Sequence, residues 1–153
     1  MGIEIAHNGL VNRDDIRKDF TTRNLTMPQD LLHGDSTDPL VRAKARGAIG
    51  NSAFDVIIAD PPYGIRESSN YNEKSPLEEL FGSIITDRES GNRLLKKGGR
   101  LVAFVPVTDE ETLLGQLPND ELTRNAGLSL EASREQPLND KLSRWLVSFK
   151  CWK

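Results

Sequence analysis

At 153 residues, with 28% charged and 37% hydrophobic residues, the chain has the size and apolar content of one domain built on a single core. A net charge of -3 excludes a domain that grips nucleic acid by overall charge, since phosphate binding draws on clustered Lys and Arg. The lone Cys151 excludes an internal disulfide, two histidines leave no zinc-type cluster, and neither a membrane-length apolar run nor a leader segment is present, so a cytoplasmic protein without metal chemistry is expected.

In chain order, Ile3 to Ala6 predicts the end of a short strand, followed by a polar, helix-compatible stretch to about Phe20. Asp30 to Asp35 predicts a second short strand closed by a Gly-Asp turn. Thr37 to Ile49 then reads as a helix, with Asp38 and Pro39 near its start and Gly50-Asn51 at its end. Phe54 to Ala59 (FDVIIA) is a continuous β-branched run, the pattern of a strand buried on both faces of a parallel sheet. The polar stretch from Glu67 to Ser75 predicts a loop. The apolar stripe from Leu77 through Leu80, Phe81, Ile84 and Ile85 to Leu94 and Leu95 predicts one long amphipathic helix. Lys96-Lys97-Gly98-Gly99 would end it, with Gly98 or Gly99 supplying the positive φ.

Arg100 to Val107 predicts another buried strand, and Glu110 to Leu122 a helix. LSLEASREQPL and SRWLVSFKCWK predict a final antiparallel pair in which Trp145 and Trp152 serve packing. Alternating strands and helices closed by such a pair describe a doubly wound, Rossmann-like α/β sheet, mostly parallel with an antiparallel C-terminal edge, in a single domain over 1–153. In that fold, ligands sit at the carboxyl ends of the strands.

One motif lies at such an end. In Asp60-Pro61-Pro62-Tyr63 the two prolines remove two backbone donors, which leaves carbonyl groups and the Asp60 carboxylate to dominate the hydrogen-bonding surface. An acceptor-rich corner suits an exocyclic amine, whose two N–H donors can be taken by Asp60 and a proline carbonyl. Tyr63 can stack on the base and Gly64 leaves room for a flat ring. Reaching such a base in folded RNA requires it to be flipped out or unpaired. The bland alternative is a rigid strand exit, because Pro-Pro is also a turn signal.

DPPYG resembles the motif of S-adenosylmethionine-dependent amino methyltransferases. DPPYGIRES, LLKKGGRLVAFVPV and SREQPLNDKLSRWLVSFK, taken in order, resemble the catalytic domain of the tRNA guanine-10 N2-methyltransferase family. The resemblance implies N2-methylation of a guanosine in tRNA, with Asp60 and the Pro61 carbonyl holding the amine and Tyr63 stacking on the base. It also implies a contact of Arg66 with RNA or with its own loop. For S-adenosylmethionine, it places Glu4 at the ribose hydroxyls and Asp35 at the adenine amine, although Asp35 serves equally well as a cap for the helix that follows.

The family also has a first, central strand with a glycine-rich cofactor loop and a preceding RNA-binding domain. This sequence reads as the part that follows them, so cofactor binding by the chain alone is not expected. Open edges beside the gap imply self-association or an altered strand order. Eukaryotic members imply a small zinc-binding activator subunit as a further partner. A DNA adenine-N6 or cytosine-N4 methyltransferase uses the same acid-Pro-Pro-aromatic device, and a folded fragment without activity is the remaining alternative.

Overall fold

The computed structural model describes residues 2–4, 13–60, 75–108 and 111–153. It comprises two compact units, 1–52 and 53–153.

The first unit holds strands β1 (Gly2–Glu4) and β2 (Leu31–His33), which pair in parallel with Glu4 opposite His33. Helix α1 (Arg13–Thr22) connects them, and helix α2 (Pro39–Gly47) follows β2. Helix α2 starts where its chemistry dictates. The Asp38 carboxylate accepts the Leu40 amide, and Pro39 occupies the first turn, where a missing N–H costs nothing. The helix is therefore two residues shorter at its start than the apolar pattern predicts.

The second unit is a four-stranded sheet of order β3-β4-β6-β5, formed by β3 (Phe54–Ala59), β4 (Leu95–Thr108), β5 (Leu128–Asn139) and β6 (Leu142–Cys151). Strands β3 and β4 run parallel, while β6 is antiparallel to both β4 and β5, which bears out the doubly wound class with an antiparallel C-terminal edge. One face of this sheet is covered. Leu101, Ala103, Val105 and Val107 of β4, together with Val147 and Phe149 of β6, form one cluster with Leu77, Phe81 and Ile84 of helix α3 (Pro76–Glu89) and Ala126 of helix α5 (Asp120–Ala126). Phe81 is fully buried, and its ring meets that of Phe149 edge-on at 5.1 Å.

Four expectations need correction. First, the Leu77 to Leu95 stripe is not one helix: α3 stops at Glu89, Gly91 takes the positive φ of 76°, and Leu94 and Leu95 reach the core from the β4 side. Gly98, with φ 81°, instead serves a bulge at the start of β4, where Phe54 pairs with Leu95 but Val56 pairs with Arg100.

Second, the region predicted as a helix over 110–122 holds two short helices, α4 (Leu113–Gln116) and α5. Pro118 disfavours helical backbone at Leu117, which is extended, and Asn119 then caps α5 through the Leu122 amide. Third, β3 is not buried on both faces: Ile57 and Ala59 pack against the core, but Val56 and Ile58 remain 48% and 75% exposed. Alternation along a strand sends these pairs to opposite sides, and α3 and α5 belong to only one of them. Fourth, Trp152 lies beyond β6 and is 43% exposed, with its indole N–H donating to the Leu128 carbonyl. Among the described residues, β1 and β2 form one sheet and β3 to β6 another.

Candidate functional site

Asp60 directly follows β3, whose last residue, Ala59, pairs with Ala103 of β4. It therefore stands at the carboxyl end of a parallel strand, where an open α/β sheet presents its ligands. Its side chain is 57% exposed. Pro61, Pro62, Tyr63, Gly64 and Arg66, the other residues of the motif, lie outside the described residues.

A residue that the sequence did not single out stands beside Asp60. Arg144 of β6 places Nη1 4.0 Å from the Asp60 carboxylate. Its Nε and Nη2 both donate to Gln136 Oε1, at 3.2 and 2.8 Å, and its guanidinium lies 4.1 Å from the centroid of the Phe104 ring. Three strands thus hold one cation at the end of a fourth. No sequence signal marks Arg144, because its partners are 8, 40 and 84 residues away in the chain.

The two acids expected at the cofactor belong to the first unit. Glu4 ends β1, and its backbone pairs with His33; its side chain is outside the described structure. Asp35 lies two residues beyond His33, at the same end of that parallel pair. Its Oδ1 accepts from both the amide and the hydroxyl of Thr37, each at 2.7 Å. The helix cap suggested for Asp35 is instead Asp38.

A cleft of about 350 Å³ opens beyond β4 and the β5–β6 turn, lined among others by Thr108, Glu111, Glu135, Lys141 and Trp145. Glu111 closes the end of β4. Its Oε2 accepts the Thr108 amide at 3.0 Å and hydroxyl at 2.8 Å, bonds that favour the ionised form and hold this carboxyl below the usual range. Among the described residues no group of three His, Cys, Asp or Glu is placed to hold a metal ion, and no helix is long and apolar enough to cross a membrane.

No family model matches the chain. It is 32% identical over 138 residues to the tRNA (guanine(10)-N(2))-methyltransferase TRMT11 of Xenopus laevis, a match that covers 79% of the chain and 26% of that protein. The chain thus spans about a quarter of the curated relative's length. Among solved structures, it superposes on a candidate methyltransferase complexed with SAH with a TM-score of 0.54 at 15% identity, over 95% of this chain and 38% of that one. A candidate SAM-dependent methyltransferase from Streptococcus mutans gives the same TM-score and identity over 97% of this chain and 37% of that one. The likeness to these structures is one of fold: the chain has the Rossmann-like α/β arrangement of S-adenosylmethionine-dependent methyltransferases. The resemblance to the guanine-10 N2-methyltransferase family is borne out by the curated relative, and with it the kinship to methyltransferase enzymes.

Proposed function

We propose that the chain carries the amine-binding end of an S-adenosylmethionine-dependent methyltransferase that modifies the exocyclic N2 of a guanosine in tRNA. The observation that carries this reading is Asp60: an exposed carboxylate at the carboxyl end of a parallel strand, in a motif whose next two residues supply carbonyl acceptors but no backbone N–H. Similarity to a tRNA (guanine(10)-N(2))-methyltransferase supports guanine as the base that carries the amine.

The chemistry asked of these residues is orientation. Asp60 and the Pro61 carbonyl accept the two amine hydrogens and turn the nitrogen lone pair out of conjugation with the ring, while Tyr63 holds the base by stacking. When bound, S-adenosylmethionine supplies a methyl group already activated on a sulfonium, so in-line approach rather than a strong base sets the rate. The proton leaves after transfer, with the Asp60 carboxylate at the amine to receive it.

Glu4 and Asp35 suit the cofactor in kind. Both are acceptors at the same end of one parallel pair, and an acid at such a position takes ribose hydroxyls in dinucleotide folds. The Thr37 bonds fix the Asp35 carboxylate in place and engage one of its two oxygens.

The test is transfer of tritiated methyl from S-adenosylmethionine to unmodified tRNA, with duplex DNA as the competing substrate and Asp60→Ala as the control. Label on guanine N2 of tRNA that falls at least about 100-fold in the variant supports the proposal. Label on DNA alone, or an Asp60→Ala variant as active as the wild type, refutes it.

A further inference from the structure

We propose that Arg144 is a positioning residue for the Asp60 carboxylate, a proposal that rests on the amine-binding role of Asp60 given above. The geometry is that of a built arm rather than a chance surface pair. Arg144 pairs directly with Gln136 on β5 and with Pro106 on β4, so Phe104 is its diagonal neighbour on the same face. Neighbouring strands lie roughly 4.8 Å apart, so β6 is roughly 10 Å from β3 with β4 between them. An arginine on β6 crosses that span only when extended, and here its guanidinium carbon sits over the Phe104 ring, 4.1 Å from its centroid, with Nη1 4.0 Å from Asp60.

Each contact fixes a different freedom. The two bonds to Gln136 Oε1 orient the plane of the fork, and the ring beneath it fixes its height above the sheet. Nη1, which faces Asp60, is not the nitrogen that bonds Gln136. The side chain of Arg144 is 27% exposed against 57% for Asp60, so the cation is the more enclosed partner of the two. At 4.0 Å the pair is longer than a direct hydrogen bond, so the cation acts on the carboxylate through its charge rather than through a donated N–H.

Two measurements separate this proposal from the function it rests on. The first needs no activity: the Arg144 Nε–Hε resonance is assigned by its loss in Arg144→Lys and followed in Asp60→Asn and, as a control, in Asp55→Asn. Asp55 pairs instead with Lys96. A shift with Asp60→Asn but not with Asp55→Asn is expected, and an unmoved resonance overturns the proposal.

The second is methyl transfer to tRNA. Arg144→Ala is expected to lower kcat roughly 10- to 100-fold, the scale of loss from misplacing a reacting group by about 1 Å, with the KM for S-adenosylmethionine unchanged. Arg144→Lys, which keeps the charge but loses the fork that Gln136 orients, is expected to recover only a minor part of that loss. Wild-type kcat in Arg144→Ala overturns the positioning role. If the wild-type protein binds S-adenosylmethionine and tRNA but transfers no methyl group, the assigned function fails, and the resonance shift alone decides whether Arg144 acts on the carboxylate.

Discussion

Asp60 and Glu131 are both carboxylates beside an arginine, and the two pairs differ in geometry. Arg100 donates to both oxygens of Glu131, from Nε at 2.7 Å and from Nη2 at 3.0 Å, the two-pronged geometry that uses up a carboxylate. Arg144 stands off from Asp60 at 4.0 Å. The bond to Arg100 holds the Glu131 carboxyl below its ordinary range and raises Arg100 in turn. A depressed carboxyl stabilises the fold above its unfolded-state pKa and loses that contribution as pH falls through the folded value. The raised arginine would lose its share only in strong alkali. Glu131→Gln is thus expected to lower the thermal midpoint near pH 7, with the gap to wild type closing towards about pH 3; thermal scans across that range check it. A constant gap would show that the pair acts through packing rather than charge. The effect is small, because the pair is exposed at the surface.

At the scale of elements, helix starts are where local chemistry is strongest. Ser75 begins α3 with a reciprocal capping box: its hydroxyl accepts the Glu78 amide at 3.2 Å, and the Glu78 carboxylate accepts the Ser75 amide at 2.8 Å. Pro76 fills the first turn. Ser75→Ala is expected to destabilise the protein by about 1 kcal/mol, read as a lower denaturant midpoint with an unchanged slope. The apolar stripe from Leu77 placed the start of α3 to within a residue, and the Ser75 cap with Pro76 is its local cause. The start of α5 at Pro118 and Asn119 was not read, because the apolar pattern runs through that pair. The end of α3 was not legible from periodicity, since Leu94 and Leu95 fit the helical stripe and the strand equally well. Packing decided it: Leu95 is needed opposite Phe54, at the start of the β3–β4 pair.

At the scale of the molecule, the core belongs to one unit. Every member of the main apolar cluster, from Leu77 to Cys151, lies within 53–153. The excised segment 53–153 is therefore expected to unfold in one cooperative transition, followed by circular dichroism; a broad, non-cooperative melt would mean that 1–52 is part of what holds the core together. The unit 1–52 contributes the parallel pair that carries Glu4 and Asp35 at one end.

The sequence by itself determined the alternation of strands and helices, the antiparallel closing pair and the place of Asp60 at a strand end. Each of these follows from local causes: a β-branched run, caps, and prolines that remove donors. Only the tertiary structure decided that β3 buries a single face, that Leu94 and Leu95 enter the core from the β4 side, and that Arg144 reaches Asp60. These depend on which strands become neighbours, and neighbours such as Arg144, Phe104 and Asp60 are brought together by pairing across the sheet, which no spacing along the chain records.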